Sequence, residues 1–152
     1  MRIVLGIGNR LLGDDGVGIH VVQALQSGGL PADVECIDGG TLSFTLAEVL
    51  QRAQQLIVVD ATELQAPPGT VRVFDDARMD EFVRSGPCSS VHEVSLAELL
   101  DMARLLDRLP PRRALVGIQP GETGWSESPS PAVASAIPEA CRAVQQLLAP
   151  AS

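Results

Sequence analysis

The chain has 152 residues, a length that suits a single domain over residues 1–152 with a substantial hydrophobic core. Nineteen acidic residues against eleven basic ones give a net charge of −8, which repels a phosphate backbone and argues against nucleic acid as a partner. Hydrophobic residues make up 45% of the chain, but no apolar run is long enough to span a bilayer, so no membrane association is expected.

The missing residue types exclude whole classes of chemistry. All eleven basic residues are Arg, and without Lys the chain has neither a P-loop lysine nor a Schiff-base nucleophile. Cys36, Cys88 and Cys141 are far apart and form no Cys-x-x-Cys pair, so they indicate neither a disulfide framework nor a thiolate zinc site. Since no export signal is visible, we expect a cytoplasmic protein, and we expect it to be a monomer.

Strand and helix patterns alternate along the first part of the chain. Residues 2–6 form a continuous apolar run typical of a central buried strand, and residues 16–25 carry apolar side chains at helical spacing. Short strands are predicted at residues 33–37 and 55–59. Between them, the capping box Thr45-Leu-Ala-Glu48 predicts the start of a helix.

A fourth strand is predicted at residues 71–74, and the segment before it sets its direction. Residues 61–70 are too few for a helical crossover and contain the turn sequence Pro67-Pro68-Gly69. The fourth strand is therefore expected to run antiparallel at an edge of the sheet.

The remaining elements complete the predicted fold. Ser95-Leu-Ala-Glu98 is a second capping box and predicts a helix, and residues 114–118 form a fifth apolar strand. Ser130 and Pro131 suit the N-cap and first turn of a final helix. The whole pattern predicts an α/β fold: a three-layer sandwich whose five-stranded, mostly parallel mixed sheet carries helices on both faces.

Two acids follow the first strand directly. Gly6-Ile-Gly8-Asn9 lies where a dinucleotide-binding turn would, but Leu11 replaces its third glycine, and Asp14 and Asp15 would repel a pyrophosphate. The loop favours a cation instead. For Asp14 an N-cap role is an equal alternative to a functional one, whereas Asp15 is the better functional candidate.

A third acid and a histidine are expected near this loop. Asp60 ends the third strand, and the carboxyl ends of neighbouring parallel strands meet at one edge. His92 lies in a polar loop and is the better imidazole ligand, because His20 is about 140° around the helix from Asp15. Two carboxylates and an imidazole suit zinc, nickel or another divalent transition ion. A Cys88–His92 chelate and a set of unrelated solvated acids are the alternatives.

Five segments carry a resemblance to a known family. They are Gly6-Ile-Gly8-Asn9-Arg-Leu-Leu-Gly-Asp14-Asp15-Gly16-Val-Gly18, Asp38-Gly-Gly-Thr-Leu42, Val58-Val59-Asp60-Ala61, Ser90-Val-His92-Glu93 and Val116-Gly117-Ile118-Gln119-Pro120. With these segments the chain resembles the hydrogenase maturation endopeptidases almost end to end. Many members of that family carry Glu where this chain has the shorter Asp15.

The resemblance implies a substrate and a site. The family removes a short C-terminal extension from the precursor of a nickel-iron hydrogenase large subunit once nickel has been inserted, and its fold is a sandwich of the predicted kind. Its metal-contacting positions fall on Asp15, Asp60 and His92, which are also the expected catalytic residues. Nickel is expected to arrive with the precursor.

The bond-breaking step and two other functions stay open at this point. The ion either activates a water or only positions the substrate tail, and Glu93 or Asp14 is a candidate proton acceptor. A non-catalytic module that binds nickel or the precursor is one alternative. A receiver-like signalling domain is another, against which the missing lysine argues.

Overall fold

Five strands form one mixed sheet in the computed structural model, which describes residues 1–40, 45–86 and 95–150. The strands are β1 (Arg2–Ile7), β2 (Val34–Gly40), β3 (Gln55–Ala61), β4 (Val71–Asp75) and β5 (Arg112–Ile118). Their order is β2-β1-β3-β5-β4. The first four in that order are parallel, and β4 pairs antiparallel with β5 at the edge, which confirms the predicted direction.

Five helices cover the two faces of the sheet. They are α1 (Val17–Gly28), α2 (Thr45–Gln51), α3 (Ala77–Arg84), α4 (Leu96–Leu105) and α5 (Pro131–Leu148), and a 3-10 turn at Gly13–Gly16 precedes α1. Helices α1 and α5 pack on one face, and α2, α3 and α4 pack on the other. The predicted three-layer sandwich is confirmed. None of the described helices combines the length and apolar character needed to cross a bilayer.

The central strands β1 and β3 alternate their side chains between the two faces. In β3, Leu56 and Val58 belong to the core under α2, α3 and α4, whereas Ile57 and Val59 belong to the core under α1 and α5. All of these side chains are fully buried. By the two-residue period of a strand, Asp60 points in the same direction as Leu56 and Val58.

The predicted N-cap residues Ser95 and Ser130 both occupy N-cap positions, but their hydroxyls act differently. The Oγ of Ser95 accepts a hydrogen bond from the Glu98 backbone N–H at 3.1 Å and donates one to Oε1 of Glu98 at 3.2 Å, whereas in a full capping box the Glu carboxylate accepts from the N-cap backbone N–H. Helix α2 begins at Thr45, the residue predicted to open it, and the position before Thr45 lies outside the described residues. Ser130 occupies the N-cap position of α5, with Pro131 as the first helical residue. Its hydroxyl does not cap the helix, because it donates to Asp14 at 2.8 Å.

Helix α3 was not predicted from the sequence. Its apolar residues Met79, Phe82 and Val83 do have helical spacing, but they cover little more than one turn of an eight-residue segment that is otherwise mostly charged. Its position depends on Asp80, which accepts hydrogen bonds from Arg113 of β5 at 2.9 and 2.6 Å. A bidentate pair between residues 33 positions apart has no local sequence signal.

Glycines in the first helical turn let α1 lie directly on the ends of the strands. A Cβ on Gly18 would collide with the carbonyl oxygens of Val59 in β3 and of Ile7 in β1. Only a residue without a side chain permits this approach. Gly18, the second glycine of the Gly16-Val17-Gly18 sequence that follows the acid pair, is therefore required for packing.

This packing predicts opposite outcomes for two alanine substitutions in α1. Gly18→Ala should lower the free energy of unfolding by about 1–3 kcal/mol, because the strand backbone must move to admit the methyl group. Gly28→Ala, at the other end of the helix, has no atom within 4 Å of the new Cβ and should stabilise by about 0.4–1 kcal/mol. Urea unfolding of both variants measures the difference. Equal free energies of unfolding for the two variants would contradict the close approach of Gly18 to the strand carbonyl oxygens.

Candidate active site

The loop after β1 curls back on itself and fixes Asp15. The Asn9 backbone N–H donates a hydrogen bond to Oδ2 of Asp15 at 2.9 Å, and the Asp15 N–H donates to the Leu12 carbonyl at 3.1 Å. Gly8 has a φ of +135°, and a Cβ there would collide with the Asp15 carbonyl oxygen. Only 4% of Asp15 is exposed. The glycine loop thus shapes a buried carboxylate site rather than a phosphate cradle.

Asp60 lies on the neighbouring strand at the same edge of the sheet. It is the penultimate residue of β3, it is completely buried, and it is in register with Gly117 of β5. Its carbonyl oxygen accepts a hydrogen bond from the Thr62 hydroxyl at 3.1 Å. Strand β3 contacts the 3-10 turn that contains Asp15. The two acids predicted to share the carboxyl edge are both placed there, each on or next to a strand end.

The predicted third ligand, His92, lies outside the described residues, as do Cys88 and Glu93. Within residues 1–40, 45–86 and 95–150, no three His, Cys, Asp or Glu side chains gather in a group that could hold a metal ion. The other histidine, His20, therefore does not complete a three-ligand set with Asp15 and Asp60. The role of His92 stays a prediction.

His20 has the environment of a structural histidine. It is half-buried in α1, and its Nε2 is buried without a hydrogen-bond partner. Burial lowers the pKa of the imidazole, and the positive charge of Arg10 lowers this pKa further. Burial and the nearby Arg10 thus favour the neutral form of the ring.

Asp14 is not an N-cap. The N-cap of the 3-10 turn is Leu12 and that of α1 is Gly16. Instead, the fully buried carboxylate of Asp14 holds the loop between β5 and α5. Its Oδ2 accepts hydrogen bonds from the Gly121 N–H at 2.8 Å, the Glu122 N–H at 2.7 Å and the Ser130 hydroxyl at 2.8 Å, and its Oδ1 accepts one from the Ser130 N–H at 2.6 Å.

These donors decide the charge state of Asp14. Burial by itself would raise the pKa of the carboxyl, but the backbone hydrogen bonds from Glu122, Ser130 and Gly121, together with the Ser130 hydroxyl, outweigh burial and set the pKa below its ordinary value. A carboxylate stabilised in this way is a poor proton acceptor. Of the two candidate bases considered from the sequence, the geometry therefore disfavours Asp14.

Gln119 is a residue of this edge to which the sequence motif assigned no role. Its Oε1 accepts a hydrogen bond from the Leu64 N–H at 2.6 Å, and its Nε2 donates to Oε2 of Glu63 at 3.1 Å. It is buried at the end of β5 and joins that strand to the loop that follows Asp60. The signal that could have identified Gln119 is a polar residue directly after an apolar strand, at the same edge as Asp60.

The bonds of Asp14 predict a large and pH-dependent cost for its amide variant. Asp14→Asn should lower the free energy of unfolding by about 2–4 kcal/mol at pH 7. The amide NH₂ group, which can only donate, would replace a carboxylate oxygen that accepts hydrogen bonds from the surrounding N–H and O–H groups. Since the folded-state pKa lies below the unfolded value of about 3.9, the wild-type advantage is present above pH 4 and is lost as pH falls further.

Urea midpoints from pH 7 to pH 3 test this expectation, with Asp75→Asn at the exposed end of β4 as the control. If the difference in urea midpoint between wild type and Asp14→Asn stays constant down to pH 3, the stabilising role of an ionised Asp14 carboxylate would be contradicted.

Comparisons with known proteins agree on one family. The family model described as hydrogenase maturation protease matches residues 19–147. The chain is 36% identical to the hydrogenase expression/formation protein HupD of Rhodobacter capsulatus over 150 residues, which cover 97% of this chain and 71% of that protein. It is 35% identical to the hydrogenase 2 maturation protease of Escherichia coli over 79% of this chain and 74% of the other.

The structural comparison points the same way. The maturating endopeptidase HybD of Escherichia coli superimposes with a TM-score of 0.88 at 32% identity, covering 97% of this chain and 92% of that one. The chain spans only 54% of another relative, HupD of Thiocapsa roseopersicina. Because the family model covers most of the chain and relatives above 30% identity align along nearly all of it, the chain belongs to the hydrogenase maturation proteases, a family of endopeptidases.

Proposed function

We propose that this chain is a cytoplasmic endopeptidase that removes the C-terminal extension of a nickel-iron hydrogenase large-subunit precursor after nickel insertion. The observation that carries the proposal is the pair of buried carboxylates, Asp15 and Asp60, at the carboxyl ends of the adjacent parallel strands β1 and β3. Family membership supplies the substrate class.

The donor set suits a nickel ion that arrives as part of the substrate. Carboxylate oxygens and an imidazole nitrogen bind first-row divalent transition ions, and two acids at one edge concentrate the negative charge that attracts a dication. Asp14 is excluded from this set because four donors already occupy its carboxylate. Asp15, Asp60 and His92 are the ligands we propose.

The sequence position of His92 is the argument for including it as the third member of this set. Asp60 points in the same direction as Val58, into the layer where Leu96, Leu99 and Leu100 of α4 pack. His92 precedes the N-cap of that helix, Ser95, by three residues in the sequence. His92 itself lies outside the described residues, so its place in the set rests on this sequence position and on the family resemblance.

The roles of the chain's own residues follow from burial and hydrogen bonding. Nickel held by these residues would supply Lewis acidity. Asp15 and Asp60 would orient the nickel-bearing segment, since the Asn9 N–H holds the Asp15 carboxylate and the Thr62 hydroxyl binds the Asp60 carbonyl oxygen. Because both acids are buried, water is excluded from their surroundings, which strengthens charge interactions there.

The proposed ligands predict loss of processing without loss of fold. Asp15→Asn, Asp60→Asn and His92→Ala should each reduce release of the C-terminal peptide by about 100-fold or more, since even residues that only support a metal ligand cost 10–100-fold. The mass of the large subunit over time measures processing, and circular dichroism with urea unfolding measures folding.

Matched controls separate the site from general damage. His20→Gln and Asp75→Asn remove the same functional groups outside the proposed ligand set and should process at near wild-type rates. Unchanged processing by any two of the three ligand variants would overturn the site. A wild-type chain that binds the precursor but releases no peptide would establish the non-catalytic binding module instead.

Nickel delivered by the substrate predicts a requirement for loaded precursor. At equal concentration, nickel-loaded precursor should be cleaved, and nickel-free precursor should bind poorly and stay uncut, because the ion that bridges the two chains is missing. Mass spectrometry of the large subunit follows both reactions with one enzyme preparation. Equal cleavage of the two forms would show that the nickel of the precursor is dispensable.

A further inference from the structure

A large aromatic side chain is exposed at the same edge of the sheet as the two acids. Trp125, the one tryptophan of the chain, is 82% exposed, and Leu11 is 50% exposed. The Ser126 N–H donates to the Leu11 carbonyl at 2.9 Å, and Leu12 forms a β-bridge with Ser126, so the two apolar residues belong to adjoining backbone segments. We refer to Leu11 and Trp125 as the Trp125–Leu11 patch.

The backbone under this patch is firmly held. Oδ2 of Asp14 accepts hydrogen bonds from Gly121 and Glu122, Oδ1 accepts one from Ser130, and the Gly13 N–H donates to the Ser126 carbonyl at 2.8 Å. Gly13 has a φ of +57°, and a Cβ there would lie 2.6 Å from the Glu122 carbonyl oxygen. The exposed indole is therefore carried on a fixed loop, which lowers the entropy cost of binding through it.

The location separates this patch from other exposed apolar residues. Leu11 lies two residues before the turn that contains Asp15, and beside Trp125 lies a depression of about 320 Å³ whose lining includes Gly13 and Ser130. Leu105, which is 86% exposed, lies at the end of α4 and precedes β5, at the opposite edge of the sheet. A protein that reaches Asp15 and Asp60 must cover the carboxyl edge and not the edge of Leu105.

We propose that the Trp125–Leu11 patch is the docking surface for the large-subunit precursor, which contacts it through an apolar part of its own surface; this inference rests on the proposed function. The patch is continuous with the candidate site, because the residue next to Asp15 anchors the loop that carries Trp125. Preorganised tryptophans are enriched among the few residues that dominate protein–protein binding energy.

The first experiment compares Trp125→Ala with Leu105→Ala in precursor processing. Trp125→Ala should raise KM by about 30-fold, the loss expected for an interface hot spot, with kcat nearly unchanged because no reacting group is altered. Leu105→Ala, an equally exposed residue at the other edge, should leave both constants unchanged. Urea midpoints close to wild type are expected for both variants. Wild-type kinetics in Trp125→Ala would overturn the proposal.

A binding measurement keeps this inference distinct from the proposed function. Because the chain has one tryptophan, enzyme labelled with 5-fluorotryptophan gives a single ¹⁹F resonance, which unlabelled precursor should shift or broaden. If the resonance responds and no peptide is released, docking stands and the peptidase proposal fails. If peptide is released and the resonance does not respond, docking through Trp125 fails and the peptidase proposal stands. If the precursor neither binds nor is cleaved, both fail.

Discussion

The buried carboxylate of Asp14 is the constraint on which the functional edge of this protein depends. A charge removed from water must be compensated by donors, and here the donors come from a segment 107 to 116 residues further along the chain. The same anion therefore fixes the turn before α1, the loop after β5 and the N-cap residue of α5 together. The residue before Asp15 is thus held by a segment that is distant in the sequence and adjacent in the fold.

Two adjacent acids thus have different tasks. The carboxylate of Asp14 is saturated by hydrogen bonds, and its charge contributes to stability, whereas the carboxylate of Asp15 accepts a hydrogen bond from the Asn9 backbone N–H in the loop that follows the central strand. The glycines around the pair make this possible: Gly8 passes close to the Asp15 carbonyl, and Gly18 lets α1 start against β1 and β3. Glycines required for packing and the candidate ligand Asp15 therefore lie within one short segment, residues 8–18.

The sheet topology explains why the candidate site has contributions from distant parts of the chain. In the order β2-β1-β3-β5-β4, strands β1 and β3 are neighbours, so the loop after β1 and the end of β3 converge. Strand β5 lies next to β3 and brings Gln119 beside the loop after Asp60. The loop after β5 then extends the same edge outward to Trp125, so that docking and chemistry share one surface.

The sequence by itself determined the strands, the helix cap at Ser95 and the direction of β4, and it placed Asp15 and Asp60 at one edge of the sheet. These features could be predicted because apolar runs, capping residues and turn residues are local signals that span only a few neighbouring positions. The sequence also favoured His92 as the third ligand, both from its polar loop and from the family resemblance, but His92 lies outside the described residues. Only the tertiary structure decided the task of Asp14, the bonds of Gln119 and the existence of α3. The hydrogen-bond partners of Asp14, of Gln119 and of Asp80 in α3 are 33 or more residues away, and the apolar residues of α3 cover little more than one turn, which is too short a pattern to identify a helix.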